Sequence, residues 1–187
     1  EPYVAEFVVF RSDNDNIDAF VETSVPYTAQ WRYGVSAEML NEPADEPSNS
    51  ELIVHEFAHI FSMHEAFQAP RPATCHDFFV GKGCIASDTM YGKFMTAFWN
   101  DAFLDRAVTT RTARDQSLAT EQFYRQYPDQ FVNAYAATNP AEDFAESFTY
   151  FVLYDDESFG RIADEKIEFF NRFSVTREMK EEILANW

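Results

Sequence analysis

The feature that constrains this chain most is a pair of histidines inside an apolar stretch, LIVHEFAHIF, at residues 52–61. This composition predicts a helix over residues 52–63 that is buried on most sides. Ser48 lies three residues before Glu51 and predicts a capping box at the start of that helix. Burying an ionisable side chain is costly unless it has a partner. The fold must therefore supply partners for both histidines.

His55 and His59 form an H-E-x-x-H motif, with Glu56 directly after the first histidine. Four residues make about one helical turn, so both imidazoles lie on one face and can reach one Zn²⁺ at about 2.0–2.1 Å. Glu56 is displaced around the helix, where it can reach a water on the metal and act as general base. The alternative is two core histidines bonded to backbone carbonyls, with Glu56 a surface acid.

A catalytic zinc site needs a third protein ligand in addition to a water molecule. His64 follows His59 by more than one helical turn and falls off the ligand face, and His76 lies in a segment rich in Pro, Gly and Cys. We therefore expect the third ligand to be an acidic residue on a later helix.

Glu142 and Glu146 are acids four residues apart in a predicted helix that begins at Asn139-Pro140. Asn is a good N-cap and Pro suits the first helical position. One carboxylate of such a pair can bind zinc while the other accepts the N–H of a ligand imidazole and fixes the orientation of its ring. The alternative is that Glu142 belongs only to a capping box and that Glu146 is a solvated helix acid.

HEFAH together with YAATNPAEDFAESF, at residues 135–148, resembles the gluzincin zinc metallopeptidases, with the motif pattern nearest to the catalytic domain of anthrax lethal factor. The resemblance implies a zincin-like fold in which His55, His59 and Glu142 bind one catalytic Zn²⁺. It also implies that Glu56 is the base and that Glu146 holds His55. The resemblance covers these two blocks alone, and the 82 residues between His59 and Glu142 are more than the family pattern predicts.

Tyr135 lies seven residues before Glu142, at the position of the family's catalytic tyrosine. The resemblance implies that its hydroxyl steadies the developing oxyanion or protonates the leaving group. The alternative is a half-buried packing residue within the sequence FVNAYAA.

Cys75 and Cys84 are the only cysteines, and they enclose eight residues that include two glycines. This spacing predicts a disulfide, which suits an oxidising compartment and would contribute roughly 2–3 kcal/mol. Free thiols, or a second metal site with His76, are the alternatives. The chain starts at Glu1 rather than Met, so we expect a secreted or periplasmic protein whose signal peptide is removed, or a fragment of a longer precursor.

The charge balance argues against two kinds of partner. Lys and Arg number 14 against 32 Asp and Glu, which gives a net charge of −18 in 187 residues. A nucleic-acid partner needs a basic footprint and an anionic membrane surface would repel this chain, so we expect it to bind neither. The sequence contains no run of 18 or more apolar residues, so we also expect no membrane insertion. The hydrophobic fraction of 46%, with 20 Phe, is too high for a disordered chain.

These patterns together predict a single zincin-like domain over residues 1–187, of the α+β class and predominantly helical. Strands are predicted at residues 3–10 and 30–35. After the His-bearing helix, further helices are predicted at roughly residues 94–107, 118–127, 128–136, 140–154, 159–173 and 176–187. The expected function is hydrolysis of peptide bonds in a peptide or protein substrate. The alternative is a catalytically inactive metallopeptidase-like domain that binds a partner or a carbohydrate, but the intact Glu56 favours the enzyme.

Overall fold

A computed structural model describes residues 4–12, 17–23, 30–41, 47–64, 85–154 and 160–186. They fall into two compact units, one within residues 1–65 and the other within residues 66–187. The chain is α+β and mostly helical, with one small sheet near its start, which confirms the predicted fold class. The zincin-like fold and the single domain over residues 1–187 stay predictions.

The first unit contains a three-stranded sheet and one long helix. The elements are β1 (Val4–Phe10), β2 (Ala19–Thr23), β3 (Trp31–Ser36) and α1 (Pro47–Met63). The strand order is β1-β3-β2, with β1 parallel and β2 antiparallel to the central strand. The sequence predicted β1, β3 and α1 but missed β2. The capping box predicted at Ser48 is wrong, because α1 begins at Pro47 and Ser48 lies inside the helix. A proline suits the first position of a helix.

Residues of β3 and α1 form the core of the first unit. Trp31, Tyr33 and Ile60 are buried together, and the Tyr33 hydroxyl donates a hydrogen bond to the carbonyl of Ile53 at 3.1 Å. Burial raises the pKa of Tyr33, and the nearby Glu56 carboxylate raises it further. Tyr33 therefore remains a neutral phenol that can donate, and its hydrogen bond joins the central strand to the helix that bears the histidine pair.

The described part of the second unit contains six helices and two short 3-10 turns, at Pro128–Gln130 and Ala136–Thr138. The helices are α2 (Met90–Phe98), α3 (Asp101–Thr112), α4 (Gln116–Gln126), α5 (Pro140–Leu153), α6 (Ile162–Asn171) and α7 (Ser174–Ala185). The single helix predicted at residues 94–107 is wrong, because the chain breaks at residues 99–100. The helix predicted at residues 128–136 is also wrong, since that segment forms turns.

Aromatic rings fill the core of the second unit, which accounts for much of the high Phe content. Phe170 lies edge-to-face against Phe144 at 5.0 Å and against Phe148 at 5.3 Å between ring centroids. Phe94 meets Phe144 in the same way at 5.2 Å. Such pairs each contribute about 0.5–1.5 kcal/mol beyond the burial of their area. They hold α2, α5 and α6 against one another.

A buried ion pair also links α5 to α6. Lys166 donates to Asp143 Oδ2 at 2.6 Å and to the carbonyl of Gln130 at 2.5 Å, and Trp99 Nε1 donates to the same carboxylate oxygen at 2.7 Å. The two charged side chains are almost completely buried. Burial raises the pKa of Asp143 and lowers that of Lys166, while the pairing opposes both shifts. The pair fixes the buried side of α5, one residue from Glu142.

Two further predictions concern membranes and cysteines. Across the described ranges, no helix combines the length and the apolar character needed to cross a membrane. Cys75, Cys84 and His76 lie outside the described residues, so the disulfide stays a prediction.

Candidate metal centre

The two histidines of the motif lie on one face of α1, as their spacing predicts. Their Nε2 atoms are 3.0 Å apart, and their rings are nearly perpendicular with centroids 4.7 Å apart. Two nitrogens bound tetrahedrally to one zinc at about 2.0–2.1 Å would lie about 3.3 Å apart. The observed separation of His55 and His59 is close to that value. The pair therefore fits two ligands of one ion with little side-chain movement.

Both histidines and Glu56, which all belong to α1, are buried in the folded chain. The exposed fractions are 5% for His55, 8% for Glu56 and 8% for His59. Glu56 is therefore not the surface acid of the alternative interpretation. Its carboxylate raises the pKa of Tyr33, the β3 residue whose hydroxyl bonds to the carbonyl of Ile53 on α1. A buried carboxylate that directly follows a candidate ligand in the chain is suited to accept and return a proton.

Helix α5 presents its two candidate acids on one stripe. Asn139 caps the helix as predicted, because its side-chain oxygen accepts from the backbone N–H groups of Ala141 and Glu142 at 2.8 and 3.2 Å. Between residues 141 and 150 every residue is buried except Glu142, Glu146 and Tyr150, which recur every four positions and are partly exposed. The buried face of α5 therefore sets the direction in which both carboxylates point.

His55 and His59 of α1 and Glu142 of α5 are side chains of the types that could hold a metal ion. Each offers one ligand atom, either an imidazole nitrogen or a carboxylate oxygen. These are donor types that zinc accepts, and three protein ligands leave a fourth position for water. The identity of the ion as zinc belongs to the proposal below.

Tyr135 lies in the turn that leads into α5, immediately before the 3-10 segment at Ala136–Thr138. The residue is 56% exposed, so about half of its surface is open to solvent, and the catalytic role and the packing role both stay predictions. The backbone of the turn is fixed by hydrogen bonds from Ala137 to the carbonyl of Ala134 at 3.2 Å and from Thr138 to that of Tyr135 at 3.0 Å. A phenol on a rigid turn can present its hydroxyl in a defined direction.

The sequence analysis missed Asn133 and Tyr91, two residues close to the candidate acids. The Asn133 side chain donates to a carboxylate oxygen of Glu146. Tyr91 in α2 is fully buried against Phe144, and burial together with the charges of Glu142 and Asp143 raises its pKa. No local pattern marks either residue, because each acquires its role only when α5 packs against other parts of the second unit.

No family model, no curated protein and no solved structure matches this chain.

Proposed function

We propose that the chain is a zinc-dependent peptidase that hydrolyses peptide bonds in peptide or protein substrates. The observation that carries the proposal is the histidine pair of α1, whose Nε2 atoms lie 3.0 Å apart beside the buried Glu56. His55, His59 and Glu142 serve as the protein ligands of one Zn²⁺. A domain that only binds metal or a partner needs no general base next to the ligands, so the buried Glu56 favours an enzyme.

When bound, the zinc polarises the scissile carbonyl and lowers the pKa of a water molecule at the site. Glu56 takes a proton from that water as its oxygen attacks the carbonyl carbon. The same carboxyl group then donates the proton to the amine nitrogen as the C–N bond breaks, which leaves Glu56 ionised for the next cycle. A single side chain, Glu56, thus accepts the proton and later returns it.

Tyr135 and Glu146 support this reaction in the proposal. The Tyr135 hydroxyl donates to the oxygen on which negative charge develops, a type of contact that stabilises the transition state more than the substrate. Glu146 accepts the N–H of the His55 imidazole, which fixes the tautomer and the ring orientation of that ligand. The partly exposed stripe on α5 and the exposed turn before it suit these two roles.

The proposed location of the reaction is outside the cytoplasm, in secreted or periplasmic form. This part of the proposal depends on the disulfide predicted between Cys75 and Cys84, because disulfides persist in oxidising compartments. A net charge of −18 will also slow the approach of acidic peptides at low ionic strength.

Cleavage of a diverse peptide library by the zinc-loaded chain tests the proposed function. We expect mass spectrometry to detect cleavage products that disappear after treatment with a chelator and return when zinc is added back. The reason is that removing the ion removes both the carbonyl polarisation and the activated water. The protein-free library is the control for spontaneous hydrolysis.

Two outcomes would contradict the proposed peptidase. Cleavage that continues at the full rate after complete removal of the metal would exclude a metal-dependent mechanism. A zinc-loaded chain that cleaves no peptide in the library would favour the inactive, partner-binding alternative.

A further inference from the structure

The segment that carries Tyr135 is held in place by buried groups before and after it. Phe131 is fully buried, with its ring 5.3 Å from that of Phe123 and 5.8 Å from that of Trp99. Ala136 and Ala137 are also fully buried. The backbone between these buried residues has little freedom to move. A hydrogen bond made by a side chain in this segment can therefore hold its partner in a fixed position relative to the turn.

Asn133 lies between the two anchors and uses both ends of its amide. Its Oδ1 accepts from the backbone N–H of Ala136 at 2.9 Å, and its Nδ2 donates to Glu146 Oε2. A backbone N–H can only donate and an ionised carboxylate can only accept, so these two partners fix which end of the amide is oxygen. A single side chain therefore connects the turn to an acid 13 residues further along the chain.

We propose that Asn133 is a positioning residue that holds the Tyr135 turn and the Glu146 carboxylate in one hydrogen-bonded unit. This inference rests on the proposed function, since it assigns Asn133 to the same reaction. The bond to Ala136 closes the turn directly after Tyr135 and limits the directions open to the phenol. The bond to Oε2 fixes the rotation of the Glu146 carboxylate, which determines where its second oxygen points.

Asn suits this task better than a charged residue would. A Lys or Arg would also donate to Glu146, but a nearby cation would compete with the imidazole N–H for the same carboxylate charge. An Asp would accept from Ala136 but could not donate to an ionised Glu146. The neutral amide satisfies both partners and leaves the negative charge of Glu146 in place.

Asn133→Asp tests the link selectively. It retains the acceptor for the Ala136 N–H and replaces the donor to Glu146 with a like-charged oxygen. We expect kcat and zinc affinity each to fall about 10–100-fold, the usual effect of losing a contact that orients a metal ligand. Zinc affinity is measured by competition with a chromogenic chelator, so this measurement does not depend on turnover.

Asn100→Ala is the matched control. Asn100 Oδ1 accepts from the backbone N–H of Phe103 at 3.1 Å, the same three-residue hydrogen bond that Asn133 makes, at the start of α3. We expect this control to retain wild-type kcat and zinc affinity. If Asn133→Asp fails to fold, Asn133→Ser, which replaces the amide donor to Glu146 with a hydroxyl on a shorter side chain, is judged by the same two measurements.

A double-mutant comparison separates a specific link from general damage. In the Glu146→Gln background the glutamine amide can donate to the carboxylate introduced at position 133, so adding Asn133→Asp is expected to cost less than in the wild type. Equal losses in both backgrounds, or wild-type kcat and zinc affinity in Asn133→Asp, would overturn the inference.

A wild-type chain that binds zinc without cleaving peptides would overturn the proposed peptidase alone, and zinc affinity would still decide the role of Asn133. A wild type that binds no zinc would overturn both.

Discussion

Glu56→Gln is expected to bind zinc as the wild type does and to cleave peptides about 10²–10⁴-fold more slowly. The amide occupies nearly the same volume as the carboxylate but cannot take the proton of the attacking water. Zinc is retained because Glu56 is not among the residues proposed as ligands. Metal content and kcat measured on the same preparation give both halves of the result.

Glu51→Gln is the matched control for this experiment. It makes the same chemical change on the same helix, about one turn before the motif, and it should leave both metal content and kcat unchanged. If Glu56→Gln cleaves peptides as fast as the wild type, the peptidase proposal fails even with zinc bound. The inactive metal-binding alternative would then be the better account.

Lys166→Met is expected to lower the free energy of unfolding by about 3–5 kcal/mol, the usual cost of leaving one member of a buried ion pair without the other. The substitution removes the donor to Asp143 Oδ2 and to the carbonyl of Gln130. The hydrogen bond from Trp99 to Asp143 Oδ2 remains, but it carries no positive charge to balance the buried carboxylate. Urea unfolding followed by circular dichroism gives the free energy and its denaturant dependence.

Arg125→Met is the control for the loss of a cation, because Arg125 pairs with Glu121 on the surface of α4. We expect a cost below about 1 kcal/mol for this exposed pair. Combining Lys166→Met with Asp143→Asn removes both charges and keeps an acceptor for Trp99, so the double variant should be more stable than Lys166→Met alone. If adding Asp143→Asn lowers the stability further, the unpaired charge is not the cause of the loss.

Elements with strong local signals were predictable from the sequence, and the exceptions have identifiable causes. The apolar periodicity of α1 lies within the helix itself, and the Asn139 cap of α5 lies directly before that helix. The short strand β2 has no such signal, and it is stabilised by antiparallel pairing with β3. The break at residues 99–100 contains neither Pro nor Gly. It occurs where Trp99 bonds to Asp143 and where Asn100 starts the next helix, contacts that depend on distant residues.

The predicted helix at residues 128–136 failed for a similar reason. Phe131 is buried among rings of other elements, and the carbonyl of Gln130 accepts a hydrogen bond from Lys166. The side chain of Asn133 accepts a hydrogen bond from the backbone N–H of Ala136. These contacts override a modest local preference for helix. Within the candidate site, the spacing of the two histidines and of the two glutamates was predictable because each pair lies on one helix. Asn133 was not, because its partner Glu146 lies across a turn.

The metal content of the purified, zinc-loaded chain tests the central claim most directly. After removal of loosely bound ions, elemental analysis should find about one zinc per wild-type chain, since three protein ligands bind one ion. His59→Ala should lose this zinc, while His64→Ala, the matched control at the end of the same helical segment, should keep it. Absence of stoichiometric zinc in the wild type, or full retention in His59→Ala, would contradict the account. The 3.0 Å contact between the imidazoles would then be an ordinary histidine–histidine hydrogen bond.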